Sequence, residues 1–174
     1  MTPRLITGPI EEPLTLSEAK QHLRVDSGDD DALILGLIST AREQAEQRLD
    51  RPMLPQTFLA VIGTAVSGTE MYISNDLLTV ETVTYADSAG VDHVTSDYTK
   101  TLSGIKPNFS GDNVRVQFTA GAWPDVESVP FSVKAWMLLV MGDLYENRGS
   151  VSEGIVGEYK HANVLIDRWR SFGV

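Results

Sequence analysis

Few residue groups in this chain could carry chemistry. Glu158 and His161 stand three apart, the spacing with which helices present ligands in di-iron carboxylate bundles. Such a centre needs a second copy of the pair and further carboxylates from facing helices, and none is visible. Glu18 and His22 share a helix face and could form an acid/base pair, although a solvated ion pair is the simpler reading. Gly149-Ser-Val-Ser-Glu-Gly154 has the glycine spacing of a phosphate loop. Ile155 and Val156 then stand where Lys and Ser/Thr would have to bind phosphate and magnesium, so the stretch reads as a flexible linker. Asp29, Asp30 and Asp31 lack the alternating ligands and glycine of a calcium loop. There is no Gly-x-Ser-x-Gly nucleophile elbow. With no cysteine and three histidines, disulfides and thiolate metal sites are excluded and little material is left for a metal centre. No catalytic, cofactor or metal residue is assigned, and the chain reads as a non-enzyme.

What remains is architecture. Residues 14–52 and 128–149 are helical in pattern, and about 75 residues between them read as strands and turns. Thr15 with Glu18 forms a capping box, which starts a short helix to about Arg24. Asp29–Asp31 then sit where a longer helix must begin, offering a capping oxygen and negative charge against its positive dipole end. Ile34, Leu37, Ile38, Ala41, Ala45 and Leu49 recur at three- and four-residue steps, and Pro52 stops the helix. From Asp31 to Asp50 it would extend about 30 Å. Pro130 and Gly149 bracket a second long helix whose Val133, Trp136, Met137, Val140, Met141 and Leu144 cover more than one face, as a central core helix would. A last short helix is expected at about His161 to Phe172.

In the middle region, 56–63 and 78–86 are rich in β-branched and aromatic residues. Asp87-Ser-Ala-Gly90 supplies a turn into VDHVTSDY, a hairpin signal. In 113–121, Val114, Val116 and Phe118 alternate with Arg115, Gln117 and Thr119, which puts one set on a buried face. The expected fold is therefore α+β, a single domain with a helical core and a β insertion at 53–127, an irregular N-terminal arm at 1–13, and a loop and C-terminal segment at 150–174. No apolar signal-peptide core opens the chain, and the run 135–142 is far too short to cross a bilayer, which needs about 20 apolar residues.

Net charge is −10, and its distribution matters more than its sum. Residues 1–52 carry −4, 53–127 carry −6 and 128–174 are balanced. Gripping duplex DNA requires clustered Lys and Arg to neutralise phosphates, which the acidic two-thirds of the chain oppose. Acidity is what a wall past which DNA slides would need, and it also serves plain solubility.

Three stretches, LTLSEAKQHLRVD (14–26), ISTAREQAEQRLDRPMLPQTF (38–58) and VRVQFTAGAW (114–123) leading through VPFSVKAWMLLVMGDLYENR (129–148), resemble the head-tail connector, or neck adaptor, proteins of long-tailed bacteriophages and phage-like gene transfer agents. Their order and spacing carry the resemblance over nearly the whole chain. It implies a structural virion protein at the neck, made in the bacterial host cytoplasm. The family assembles as a homo-oligomeric ring of twelve beneath the portal protein, joined to a stopper or tail protein, and passes genomic double-stranded DNA without specific binding or contact with a membrane. Other neck roles, stopper or tail completion, are the nearest alternatives, with a small hydrolase or a DNA-binding module further off.

Two sets of residues are candidates for such assembly. Arg168, Trp169, Arg170 and Phe172 combine the types enriched among interface anchors. Either they pack on their own domain or, as the resemblance implies, 158–174 carries portal docking rather than folding. Arg42, Glu43, Glu46 and Arg48 lie on the polar side of the long helix, either as a solvated face or as one of the two complementary surfaces that a closed ring requires.

Overall fold

A computed structural model describes residues 3–147 and 160–171 of the chain. Thr15 opens helix α1 (Leu16–Leu23) by accepting the Glu18 amide at 3.2 Å on its Oγ1, while Glu18 Oε2 accepts the Thr15 amide at 2.7 Å. The reciprocal bonds satisfy two orphan donors, and Thr15 holds the Glu18 carboxyl below the ordinary glutamate value. Three more helices follow, α2 (Asp31–Leu49), α3 (Phe131–Glu146) and α4 (Lys160–Asp167). α2 ends with Asp50 in the left-handed region at φ 54°, ahead of the Arg51-Pro52 step that disfavours helical continuation. At its start the aspartates act otherwise than expected. Asp30 occupies the cap position but makes no side-chain capping bond. Instead Asp31 Oδ1 receives Lys20 Nζ of α1 at 2.6 Å, and Asp30 Oδ2 receives the Tyr145 hydroxyl of α3 at 2.5 Å. Carboxylates read as caps therefore tie three helices together.

The expectation of a helical core carrying a strand insertion is overturned. Two antiparallel sheets, eight strands among the described residues, form a unit of their own from the described residues up to Ile10 together with Leu54–Pro124. The helices form a second unit, Glu11–Met53 with the described residues from Asp125 onward. The larger sheet has the spatial order β1 (Arg4–Thr7), β2 (Gln56–Ala65), β8 (Gly111–Ala120), β4 (Leu77–Ala86), β5 (Asp92–Thr95). The smaller is β3 (Met71–Tyr72), β7 (Gly104–Pro107), β6 (Tyr98–Lys100). The physical reason is that the strands bury a face of their own. Ala60, Val83, Ile105, Val114, Val116 and Phe118 are buried together with Met71 and Leu77, so the apolar side of the long strands is satisfied inside the sheet unit. A Cβ at Gly104 would lie 1.9 Å from the Met71 carbonyl oxygen, so only glycine permits the close β3–β7 approach. The segment read as an irregular arm contains β1, which pairs antiparallel with β2 through Arg4, Leu5 and Thr7.

The alternation in β8 is as read, with Val114, Val116 and Phe118 inward. The hairpin turn also forms. Asp87 Oδ1 accepts the amides of Ala89 and Val91, and Gly90 supplies φ +80° before β5 pairs with the end of β4. On the outward face Glu81 accepts hydrogen bonds from Thr119 Oγ1 at 2.7 Å and Gln117 Nε2 at 2.6 Å, with a longer one from Thr57 at 3.4 Å. Those bonds, Thr119 first and Gln117 next, depress the Glu81 carboxyl below the ordinary glutamate value. The unfolded carboxyl, near pH 4.3, then binds its proton more readily than the folded one, so this stability is present above about pH 4.3 and fades as pH falls through the folded value. Glu81→Gln is expected to flatten the acid limb of a plot of urea midpoint against pH. The loss at neutral pH should be only about 0.5 kcal/mol, because the network is exposed and screened.

Candidate functional site

Arg42 was placed by the sequence on a polar helix face, and the structure buries it at 5% exposure. Its position explains this. It follows Ile38 by four residues and precedes Ala45 by three, on the stripe where Ile38, Ala45 and Leu49 are also fully buried. Its Nε donates to Glu12 Oε2 at 2.9 Å and its Nη1 to Glu46 Oε2 at 2.9 Å, while Glu43 lies 3.6 Å from Nη2. The two carboxylates are also occupied on their other oxygens. Ser39 Oγ donates to Glu12 Oε1 at 2.8 Å, and the Met53 amide donates to Glu46 Oε1 at 2.9 Å. Burial disfavours the charge on Arg42, yet Glu46, Glu12 and Glu43 together outweigh it and raise its pKa. Glu12 and Met53 stand at the two places where the chain enters and leaves the first part of the helical unit. The cluster therefore fastens both crossings onto α2. Of the candidate interface set, Glu43 is the member that stays well exposed, and Arg48 pairs with Asp167 of α4 at 2.7 Å.

The C-terminal candidates divide in the same way. Ile166 is fully buried, and Asn163 Oδ1 accepts the buried Trp136 indole N–H of α3 at 3.2 Å. Beyond α4, the Trp169 carbonyl accepts Arg51 Nη1 at 3.2 Å, its indole N–H donates to Ser132 Oγ at 3.2 Å, and the Ser171 amide donates to the Leu49 carbonyl at 2.8 Å. Arg168 and Arg170 are exposed, with the Arg168 guanidinium 4.7 Å from the centre of the Trp169 ring. The segment thus contributes to the helical core and presents two arginines from a fixed base. Phe172, the 148–158 loop and Glu158 lie outside the described residues.

Of the two spaced pairs, Glu18 and His22 lie among the described residues, and each meets a different neighbour. Glu18 is engaged with Thr15, whereas the His22 ring lies beside Gly142 of α3, where an added Cβ would meet it at 3.5 Å. Among the described residues no cluster of three His, Cys, Asp or Glu could hold a metal ion, and no helix is long and apolar enough to cross a membrane. Sequence reasoning missed Glu12 and Ser39 as partners of Arg42. The available signal was a lone arginine on an apolar stripe, which demands a nearby carboxylate.

Residues 13–170 match the family model of Phage gp6-like head-tail connector proteins. The chain belongs to that family. No curated protein sequence matches it. In three dimensions it is similar to a chain in the neck of an empty gene transfer agent (GTA) particle computed with C6 symmetry, with a TM-score of 0.75 at 21% identity. It is also similar to chains in the virion of a native GTA particle (TM-score 0.69, 21% identity) and in the neck of a native GTA particle computed with C12 symmetry (TM-score 0.68, 20% identity). Each alignment covers 100% of this chain and 97% of the other.

Proposed function

We propose that this protein is an adaptor subunit of a virion neck, forming a cyclic ring, twelve-fold by analogy with the C12 neck, between the portal and the stopper or tail. The observation that carries the reading is the family match over 13–170, and full-length similarity to chains of GTA necks and virions supports it. The charge agrees with a passage role. A ring of subunits carrying −10 each opposes phosphate binding and leaves duplex DNA free to slide.

Docking to the portal falls to the exposed Arg168 and Arg170, held in place by the Trp169 contacts with Ser132 and Arg51. Truncating α4 would not test this, because Ile166 and Asn163 serve the fold. The two arginines can be changed without touching the core. Arg168→Ala with Arg170→Ala is expected to melt within about 2 °C of the parent, as surface changes do. It should reduce co-sedimentation with portal-containing heads by roughly tenfold or more, the loss of one to two charge-assisted contacts. Light scattering of the parent should show ring-sized particles with portal present and small species without it. A stable dimer indifferent to portal, or unimpaired attachment of the double variant, contradicts the respective part of the reading.

A further inference from the structure

The two outer strands of the five-stranded sheet are too short for their neighbours. β1 pairs with β2 only at Thr57, Phe58 and Leu59, and β5 pairs with β4 only at 83–86, whereas β2 and β4 each run ten residues. No described strand covers the outer edge of β2 over 60–65 or of β4 over 77–82. The register across β8 shows that these gaps are complementary. β8 residues 117–120 lie level with 56–59 of β2 and 77–82 of β4, while 111–116 lie level with 60–65 and 83–86. At one end of the sheet, therefore, β1 projects and β4 is bare. At the other, β5 projects and β2 is bare.

We infer that neighbouring copies of this chain join edge to edge through these gaps, with β1 of one copy on β4 of the next and β5 of that copy on β2 of the first. This rests on the ring reading above and specifies its subunit contact. Strand direction permits it without rearrangement. β1 is antiparallel to β2, β5 is antiparallel to β4, and β2 and β4 both run opposite to β8, so each new pairing is antiparallel and the two short strands run the same way. Four residues of β5 and four of β1 laid end to end make a row of eight beside ten-residue strands. The β4–β5 pairing ends at Thr95, level with Val116, and Arg4 of the next copy would begin one position on, level with Gln117.

The side chains agree with the row. Val94 lies opposite Thr84 and Val61 opposite Arg115, which itself pairs with Thr84, so Val94 and the next copy's Val61 fall level with no stagger. They are 76% and 56% exposed in the single chain. By the same count Arg4 comes level with Thr82, beside the Glu81 carboxylate, and Thr7 level with Thr79. Bare apolar strand edges are a liability that proteins cover or pair. The contact is heterologous, using two different edges, and so leaves a free edge for a further copy rather than stopping at a dimer, as a cyclic ring requires.

The chain has no cysteine, so engineered pairs report the contact without background. Val61→Cys with Val94→Cys, and separately Thr7→Cys with Thr79→Cys, would be assembled on portal-containing heads and oxidised mildly. Directly opposed antiparallel residues lie within disulfide reach. The expected result is a ladder of covalent multimers extending past dimer on a denaturing gel, lost on reduction, with no ladder from any single-cysteine variant. Rings that form normally, by electron microscopy, but give no ladder from either pair overturn the edge contact and leave the ring reading standing. Covalent dimers from Val94→Cys alone would mean a two-fold contact and overturn it as well. Failure of the parent to form any ring on the portal defeats both readings together.

Discussion

Trp136→Ala is expected to lower the stability of the helical unit by about 3–5 kcal/mol, through lost burial and the cavity left behind. Trp136 is 3% exposed on α3, between Val133 and Met137 and Val140, which are fully buried. The change also removes the donor for Asn163 Oδ1, a buried acceptor of α4. An acceptor left without a partner costs about 1–3 kcal/mol when no water replaces it. For a chain of this length each kcal/mol moves the midpoint by about 2–4 °C, so a drop of roughly 10 °C in the helical circular dichroism signal is the outcome to look for. The helical signal is the right probe because the sheet unit has its own core and can melt separately. Trp136→Phe with Asn163→Leu separates the two contributions: it keeps most of the volume, removes donor and acceptor together, and should recover more than half of the loss. A Trp136→Ala midpoint within a degree or two of the parent would show that α3 does not hold the unit together.

The elements that were legible in the sequence are those whose signal is local. The Thr15–Glu18 capping box, the four-residue repeat from Ile34 to Leu49, the Asp87–Gly90 turn and the alternation of Val114, Val116 and Phe118 each depend on neighbours within a few positions. Their assembly was not legible, for a physical reason. Nothing local distinguishes a strand insertion on a helical core from a sheet unit with its own core; that is decided by Met71, Ile105 and Phe118 meeting across long sequence separations. β3, β6 and β7 are two to four residues long, too short to display a period, and the enabling feature is a glycine at 104 whose need for space appears only once Met71 is beside it. β1 was hidden because an exposed edge strand has no buried alternation to show. The assembly candidates were legible in type, as Arg and Trp near the end of the chain and mixed charge on α2. Their roles were not, because Arg42 finds Glu12 thirty residues away and Arg48 finds Asp167 across more than a hundred.

Arg42→Ala is expected to be among the most damaging single changes, at about 3 kcal/mol or more, although it removes an arginine from a helix rich in charge. Removing one partner of a buried ion cluster leaves the other charges desolvated and facing each other, typically at a cost of 3–5 kcal/mol; Glu12 and Glu46 keep 28% and 16% side-chain exposure, which places the expectation at the lower end. Arg42→Lys should fall between, because an ammonium supplies charge but not the planar fork that reaches both carboxylates. The decisive variant is Arg42→Met with Glu12→Gln and Glu46→Gln, which keeps the Ser39 and Met53 donors supplied with acceptor oxygens and removes every charge facing the vacated site except the exposed Glu43. If electrostatics within the cluster is the cause, this triple variant recovers most of the lost stability in urea titration. If it stays as unstable as Arg42→Ala, the arginine acts by the packing of its stem against Ile38 and Ala45, and the two chain crossings at Glu12 and Met53 are fastened by something other than its charge.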